Sequence, residues 1–501
     1  MRDTVAGEEA GQLLADNQLW HLAREAVADA GARADEYLAT GSWIPKIDMP
    51  KIDAFDSGWP DLSRPLLSSS SNGRVNYVSL FGRERRSLTP LAYDDAPALV
   101  RFIDYVRGRP DLRARLFPEH MTDPSFADSI FVTGVANLPL SLLDRTRAVG
   151  ATDSDLVQLY AQRERAWLSD RLPVEYVIPL ALTPLDLDEP LVLDASTRIE
   201  PLDTGTQAAR APDRVNSVNS VPTPVVSAAT HAIVLSGHYL DNPGPIVRIF
   251  TRAPENIPLA DADLVCEALR ILTHVDVGYA QVLLRPIGWA DRWEHDLPAI
   301  TRIATLRRYP DGFDNYAWLR MGPKVTRDEL DLLPKVVASL RNASAKIRLA
   351  VKRLSIASLR SDDDDRTVDA CIGLEALLSD SRDELTHRLA LRAATALSTR
   401  ADNPADAKRT YGLMRAIYKH RSAVVHGDLP DKHRIVDYGN GRIASADLAC
   451  ILLRELLMDV LQRPGGWTPA KLDELLFSRL NMNEGYPSPS QASEGGDVER
   501  S

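Results

Sequence analysis

Cysteine is scarce in this sequence, and the three cysteines, Cys266, Cys371 and Cys450, lie far apart. Each stands within an apolar helical pattern, and none belongs to a CxxC motif or a cluster with histidine. Paired cysteines are typical of secreted proteins, and clustered ones are typical of zinc sites. The sequence therefore predicts buried free thiols in a reducing cytoplasm, with no metal and no cofactor.

Common catalytic signatures are absent as well. The sequence has no GxxxxGK[ST] phosphate loop, no HExxH motif and no GxSxG nucleophile elbow. Residues 439–444, "GNGRIA", fit a GxGxxA pattern, but a dinucleotide site needs a βαβ unit around it, and helices are predicted nearby. We interpret this stretch as a loop turn, with Ser445 as the N-cap of the next helix.

Long apolar runs are also missing, and aromatic residues make up only 6% of the 501 residues. The first residues lack the basic start and apolar core of a signal peptide, and a membrane span needs about 18 apolar residues or more. We expect a cytoplasmic protein with no membrane partner. Because the formal net charge is −11, any nucleic-acid contact needs a local basic face.

Apolar periodicity predicts an α+β protein, with an irregular mixed N-terminal half and an all-α C-terminal bundle. The first half has predicted helices at 8–39, 94–116 and 153–171, and predicted strands at 74–82, within 174–202 and at 231–250. From residue 261 onward the pattern is almost entirely helical. The predicted helices there are a long one from Thr326 to about Leu359 and shorter ones at 366–379, 383–398, 405–426, 446–462 and 468–480.

These patterns suggest five regions. They are an N-terminal helix (1–40), a mixed α+β domain of unknown role (41–260) with a linker near 203–225, connecting helices (261–360), a helical bundle (361–480) and a disordered tail (481–501).

Arginine five residues before histidine is a recurring spacing in this chain. It occurs at Arg115/His120, Arg382/His387, Arg415/His420 and Arg421/His426, so the spacing alone has little specificity. The last pair differs because Gly427 follows directly and is suited to end a helix, which places His426 in the last turn.

Arg421 and His426 are the candidate catalytic pair. Histidine is the side chain best suited to move a proton near neutral pH, and the planar guanidinium of arginine suits a phosphate. Together they suffice for RNA cleavage without a metal, one group moving a proton and the other stabilising the phosphorane. The structural alternative is a helix end with an exposed arginine and a histidine bonded to a carbonyl.

Three sequence blocks in fixed order strengthen the catalytic interpretation. They are "VDACIGLEALLSD" (368–380), "DELTHRLALRAATAL" (383–397) and "MRAIYKHRSAVVHG" (414–427). Together they resemble the HEPN domain, and specifically its Apea-like branch, over roughly residues 360–480. The signature of that family is an arginine, a polar residue directly after it and a histidine near the end of a bundle helix, which here are Arg421, Ser422 and His426.

The resemblance implies a compact helical bundle that usually forms a homodimer, with the two motif helices facing a shared cleft. It implies metal-independent endoribonuclease activity with RNA as the substrate, often as a toxin or in defence against phage. Some members of the family instead bind nucleotides or act only as scaffolds.

Two further features bear on the candidate site. Residues 382–434 carry eleven Lys and Arg against six Asp and Glu, which favours a local RNA site or a solvated helical surface; Lys419 is a candidate for binding substrate. Glu375 falls on the apolar face of its predicted helix, where a carboxylate is costly to bury unless a cation or a hydrogen-bond donor pairs with it. Arg388 or Arg421 could pair with it and be oriented by it, or Glu375 could reach water.

The main hypothesis is an Apea-like HEPN ribonuclease whose N-terminal half senses a trigger or restrains the nuclease. A second hypothesis is an inactive HEPN module that binds RNA, a nucleotide or a protein partner. A third is a helical bundle that serves only dimerisation.

Overall fold

The computed structural model describes residues 14–482 with short gaps, which are residues 43, 45, 48–51, 63–72, 88, 118, 120, 212–220, 251–255, 294–295, 381–385, 401–403, 429 and 464. The chain is 57% helical and 16% strand, which confirms the predicted α+β class with a helical C-terminal half. The predicted disordered tail at 481–501 lies outside the described residues from 483 onward.

The described chain divides into two compact units. The first unit comprises residues 14–263, 277–309 and 313–327, and the second comprises residues 264–276, 310–312 and 328–482.

The helices of the first unit lie mostly before and between its strands. They are α1 (Asn17–Ala39), α2 (Tyr77–Leu80), α3 (Pro97–Gly108), α4 (Pro110–Leu116), α5 (Pro124–Val149), α6 (Asp153–Leu168), α7 (Thr204–Arg210), α8 (Thr223–Ser227), α9 (Pro245–Phe250) and the start of α10 (Leu259–Leu272), which belongs to the second unit from Leu264 onward.

A six-stranded antiparallel sheet is the centre of the first unit. Its strands are β7 (Arg171–Pro179), β8 (Leu191–Val192), β9 (Thr197–Pro201), β10 (His231–Asp241), β11 (Tyr279–Pro286) and β12 (Thr301–Arg308). Their order in the sheet is β12-β11-β7-β10-β9-β8. Short paired strands precede it: β1 (Lys46–Ile47), β2 (Asp53–Ala54), β3 (Pro60–Asp61), β4 (Arg74–Val75), β5 (Phe81–Gly82) and β6 (Leu91–Ala92).

The sheet forms because its central strands carry Val, Ile and Leu that pack on α7. Val177, Val234 and Leu283 are fully buried in one cluster with Ala208 of α7. Beside it the fully buried Arg210 donates hydrogen bonds to Gln207 Oε1 (2.7 Å) and to the carbonyl oxygens of Val226 (2.8 Å) and Ser227 (2.7 Å). This arginine therefore stabilises the chain around α7 and α8 and is not available to a ligand.

The second unit is predominantly helical. After the end of α10 it contains α11 (Arg327–Arg341, beginning at the boundary residue), α12 (Ala345–Leu359), α13 (Asp363–Leu378), α14 (Thr386–Ser398), α15 (Ala407–His426), α16 (Ser445–Gln462) and α17 (Pro469–Met482). A hairpin of β13 (Ile435–Tyr438) and β14 (Gly441–Ala444) separates α15 from α16.

Helix α13 is central in this unit, packing against α12, α15 and α16. Gly373 permits a close approach of α16, because a Cβ added there would lie 2.5 Å from Cδ2 of Leu453. The helices predicted at 366–379, 405–426, 446–462 and 468–480 are all present, with ends shifted by a few residues.

Several predicted elements were wrong in the first half. The strand predicted at 74–82 is β4, α2 and β5, because Asn76 caps a helical turn by accepting from the backbone N–H of Ser79 (3.1 Å). The helix predicted at 94–116 breaks at Arg109. The linker predicted at 203–225 contains α7 and α8, with residues 212–220 outside the described part, and the strand predicted to continue to 250 ends in α9.

The prediction of almost continuous helix after residue 261 was also wrong, because β11 and β12 are strands of the central sheet. Residues 279–284 are all buried, and a short run without the alternation of a half-buried strand does not distinguish a buried strand from a helix. The long helix predicted from Thr326 to Leu359 is two helices, since Ser344 caps α12. The N-cap of α16 is Ala444, not Ser445.

Helix α5 is apolar enough, by length and composition, to cross a membrane, with a mean hydropathy of 1.4 and 61% of the relevant window buried within the protein. This stretch was not predicted from the sequence as a candidate span. Core helices of soluble proteins pass the same test, and Phe131, Val135 and Leu142 of α5 are buried in the first unit.

Candidate functional site

Helix α15 carries the predicted catalytic pair, and capping residues define both of its ends. Asp406 accepts a hydrogen bond from the backbone N–H of Arg409 (2.6 Å), which satisfies an otherwise free donor of the first turn. Gly427 adopts the left-handed conformation at φ +71°, and the N–H of Asp428 returns to the carbonyl of Ala423 (2.9 Å). The predicted helix end at His426 is therefore confirmed.

One side of α15 is buried and the other is exposed. Buried positions include Leu413, Met414, Ile417, Tyr418 and His420. The exposed positions include Arg415, Lys419, Ser422 and His426, which are polar or basic, besides Ala407, Gly412 and Val425, which are not. The helix thus presents a basic outer face to solvent, and Lys419 and Ser422 belong to it.

Arg421 lies at the border between these two sides, with 32% of its side chain exposed. Its Nη2 is 3.8 Å from Oε1 of Glu375 on α13. This is an ion pair, but the distance exceeds that of a hydrogen bond. The Nε of Arg421 is buried and donates no hydrogen bond to any residue within the described ranges. The guanidinium is therefore held near a carboxylate while retaining unused donors.

Glu375 pairs with Arg421 and not with Arg388, which bonds instead to Asp473 (2.9 Å). Burial raises the pKa of Glu375, and the nearby charge of Arg421 opposes that shift. With 36% of its side chain exposed, the carboxylate lies at the edge of the apolar stripe. Its position suits it to orient the guanidinium.

Tyr418 belongs to the same cluster and was missed by the sequence analysis. Its hydroxyl is buried and has no hydrogen-bond partner among the described residues. Burial raises the pKa of Tyr418, and the neighbouring Cys371 and Glu375 raise it further. No signal in the sequence distinguishes this tyrosine from an ordinary core residue, because its place beside Cys371 and Glu375 depends on the packing of α13 against α15.

His426 is exposed in the last turn of α15. Five residues separate it from Arg421, which corresponds to a rotation of about 140° and a rise of about 7.5 Å along an α-helix. The two side chains therefore leave the helix in different directions. In a single copy of α15, Arg421 and His426 therefore do not point towards one phosphate on the same face of the helix.

The other arginine–histidine pairs have different surroundings. His420 is fully buried with Nε2 at 3.4 Å from Oδ1 of Asp364, so the pair with Arg415 is split between the core and the outer face. His387 is exposed and its Nδ1 is 2.7 Å from the hydroxyl of Tyr411, whereas Arg382 and His120 lie outside the described residues. Thus, among the pairs that can be compared, 421/426 combines a half-exposed arginine with an exposed histidine.

The basic segment 382–434 separates into paired and unpaired cations. Arg392 bonds to Asp473 (2.8 Å) and Asp380 (3.0 Å), and Arg400 pairs with Glu455. Arg415, Lys419 and Lys432 are exposed, and none of them forms an ion pair with a carboxylate in the described part of the chain. The available positive charge is therefore concentrated on the outer face of α15 and the turn after it.

Metal ligands are not grouped in the described ranges, where no three His, Cys, Asp or Glu side chains form a set that could hold an ion. The predicted buried free thiols are confirmed for Cys266, Cys371 and Cys450. Residues 439–444 form the turn and second strand of a hairpin, not the glycine loop of a βαβ unit. His231 is a core residue, with Nε2 at 2.7 Å from the carbonyl oxygen of Leu187.

Comparison with known proteins identifies no relative: no family model matches the chain, and neither the curated proteins nor the solved structures contain a match. Function must therefore be inferred from the site itself and from the residues that resemble the HEPN motif.

Proposed function

We propose that the second unit is a metal-independent endoribonuclease of the HEPN type, in which Arg421 and His426 act on the scissile phosphate. The observation that carries the proposal is the state of Arg421. Its side chain is 32% exposed, and its Nη2 lies 3.8 Å from Oε1 of Glu375 without forming a hydrogen bond. The exposed part of the guanidinium has donors that Glu375 does not use, and a phosphate supplies several acceptors for them.

The roles of the two residues follow from their chemistry. The 2′-hydroxyl of the RNA attacks the adjacent phosphorus and loses its proton, the bond to the 5′-oxygen breaks, and that oxygen gains a proton. His426, exposed at the helix end, moves a proton in this exchange. Arg421 stabilises the negative charge on the phosphorane. The products are a 2′,3′-cyclic phosphate and a free 5′-hydroxyl.

The proposed active form is a homodimer. Arg421 and His426 of one helix are rotated by about 140° from each other, so a site that uses both is more readily completed when α15 of a second copy faces the first. The HEPN resemblance implies the same arrangement. Glu375 then acts as a positioning residue, because it holds Arg421 without saturating its donors.

The biological setting is proposed from the resemblance alone. A nuclease of this type would cleave host or phage RNA in defence or toxin-like restriction, in the cytoplasm. The first unit would sense the trigger or restrain the nuclease.

The test is cleavage of end-labelled RNA by purified full-length protein in EDTA. We expect wild-type cleavage with cyclic phosphate ends, and a loss of about 10²-fold or more in Arg421→Ala and His426→Ala. Matched controls are Arg24→Ala and His21→Ala on α1, where both side chains are exposed; these should cleave normally. Intact RNA under all conditions, including phage challenge of cells, would reject the proposal.

A second candidate function is a non-catalytic HEPN module that binds RNA, a nucleotide or a protein. The observation that favours it is the proximity of Glu375 to Arg421, since a carboxylate competes with a phosphate for the same guanidinium. This candidate function predicts that RNA binds without being cleaved. It also predicts that His426→Ala leaves the affinity for RNA unchanged.

A further inference from the structure

A basic groove lies beside α15 in the second unit, with a volume of about 410 Å³. This is within the size range of sites that bind small ligands or ligand fragments. One wall is α15, through Tyr411, Arg415 and Lys419. The other is the turn and strand after it, through Lys432, His433 and Asp437. Chain segments on both sides of the motif therefore build one concave surface.

The charge of this groove is predominantly positive. Arg415, Lys419 and Lys432 are exposed and form no ion pair with any carboxylate that the structure describes. Asp437 is the acidic residue of the lining, and its Oδ1 lies 4.0 Å from Nε of Arg442. In a chain of net charge −11, such a concentration of unpaired cations favours a localised anionic ligand.

The groove also has an ordered aromatic ring. The hydroxyl of Tyr411 lies 2.7 Å from Nδ1 of His387, and the guanidinium carbon of Arg415 lies 5.8 Å from the centre of its ring. These contacts hold the ring of Tyr411 at the edge of the basic groove. Cationic grooves with aromatic side chains are typical of sites that follow a single nucleic-acid strand, in which phosphates meet the cations and bases meet the rings.

The groove and His426 occupy the same side of the helix. At about 100° per residue, Tyr411, Arg415, Lys419, Ser422 and His426 fall within an arc of about 80°. His426 lies two turns beyond Lys419, a rise of about 10.5 Å. Arg421 lies on a different side. A strand in the groove is thus directed along the outer face towards His426.

We infer that this groove binds the phosphate backbone of single-stranded RNA next to the cleavage site, through Arg415, Lys419 and Lys432. The inference rests on the proposed function for its class of substrate, and it adds a binding site that the catalytic pair does not require. In this arrangement, the RNA strand that lies in the groove reaches His426 of the same copy.

The test separates binding from cleavage by using a fluorescent single-stranded oligonucleotide with 2′-O-methyl groups, which has no 2′-hydroxyl to attack. Fluorescence anisotropy is measured with full-length protein over a range of salt concentrations. The groove variant is Arg415→Ala/Lys419→Ala/Lys432→Ala. The charge-matched control is Lys335→Ala/Lys352→Ala/Lys471→Ala, which removes three exposed lysines of the same unit outside the groove.

We expect the groove variant to bind at least about tenfold more weakly than wild type. The slope of log affinity against log salt should fall by about 2, since each phosphate contact on a single strand contributes about 0.7. The control should keep most of the wild-type affinity and slope. Equal losses in both variants would overturn the inference, because they would show a non-specific effect of net charge.

Two further measurements identify the ligand. If a nucleoside monophosphate displaces the oligonucleotide at equal concentration, the ligand of the groove is a free nucleotide and not an RNA strand. This result would overturn the inference. Double-stranded RNA that binds as tightly as the single strand would also contradict the inference.

The cleavage assay makes the two proposals separable. If no protein cleaves RNA but the groove variant alone loses binding, the groove is supported and the nuclease is rejected. If wild type cleaves and the groove variant binds and cleaves like wild type, the nuclease stands and the groove is overturned.

Discussion

One charged network in the first unit and the outer face of α15 in the second unit use charged side chains in opposite ways. In the first unit, Glu175 accepts hydrogen bonds from Arg198 (2.9 Å) and Arg285 (2.6 Å), and both arginines also bond to Glu200. Each of these four side chains therefore forms an ion pair with another member of the set. In the second unit, the outer face of α15 presents cations that have no described carboxylate partner.

This difference separates charges that are engaged within the fold from charges that are available to a ligand. A closed set of ion pairs on a sheet stabilises the arrangement of its strands and leaves little capacity for a ligand. Cations left unpaired beside a groove contribute little to folding and are free to bind an anion. Arg421 is intermediate, because Glu375 positions its guanidinium at 3.8 Å without a hydrogen bond.

The largest effect on stability is expected for Arg210→Met in the first unit. The substitution removes a buried donor from three oxygen atoms within 2.8 Å, and each buried acceptor left without a partner costs about 1–3 kcal/mol. We expect the free energy of unfolding to fall by about 3–5 kcal/mol, measured by urea denaturation with circular dichroism.

Arg415→Met is the matched control in the second unit, since Arg415 is exposed on α15. Its free energy of unfolding should change by less than about 0.5 kcal/mol. Similar losses in both variants would contradict the division between structural and available arginines.

The next effect concerns Glu175 and pH. Burial alone raises the pKa of this carboxyl, but the hydrogen bonds from Arg198, Ser236 and Arg285 outweigh it and lower the pKa to about 2. A lowered pKa in the folded state gives stability that is present above the pKa of the unfolded chain and is lost as the pH falls towards about 2.

Glu175→Gln should therefore reduce the free energy of unfolding by about 2–3 kcal/mol near neutral pH. The difference from wild type should shrink by about 2 kcal/mol between about pH 6 and about pH 3. The exposed Glu189, changed to Gln, provides the control and should show little difference at either pH. A constant effect of Glu175→Gln across this range would refute the assigned ion network.

A smaller effect is expected for Glu375→Gln in the candidate site. The side chain keeps its size but loses the charge that holds Arg421. We expect kcat for RNA cleavage to fall about tenfold, equivalent to about 1.4 kcal/mol, with KM little changed. The pH profile of the remaining activity should keep its shape, because Glu375 positions the guanidinium and transfers no proton. A change in KM alone would assign Glu375 to substrate binding instead.

The smallest effect is expected at the end of α15. Gly427 has φ +71° and open space around the position of a Cβ, so Gly427→Ala carries only the backbone cost, about 1 kcal/mol. Gly412 lies inside the same helix, also with open space, and Gly412→Ala should stabilise by about 0.5–1 kcal/mol. Thermal unfolding should show shifts of opposite sign, and shifts of the same sign would argue against the observed helix end.

The sequence predicts well those features that depend on local signals. Helix α15 has both an aspartate cap and a terminal glycine, and its end at His426 was predicted correctly. The failures involve tertiary context. Strand β11 was taken for helix because its residues are buried on both faces, and the break before α12 depends on a single serine cap.

The candidate site was predicted in part for the same reason. Arg421, Ser422 and His426 belong to one contiguous motif, whereas the choice of Arg421 over Arg388 as the partner of Glu375 depends on how α13 packs against α15. The groove could not be predicted, because Lys432 and His433 reach it only through the turn after the helix.

The most direct test of the central claim is complementation between inactive variants. Arg421→Ala and His426→Ala, each with a different tag, are co-expressed, and the mixed dimer is purified through both tags and assayed on labelled RNA in EDTA. The account predicts that neither variant cleaves alone and that the mixed dimer recovers cyclic-phosphate products, since one copy supplies the arginine and the other the histidine. An inactive mixed dimer beside an active wild type would contradict a site shared between two copies.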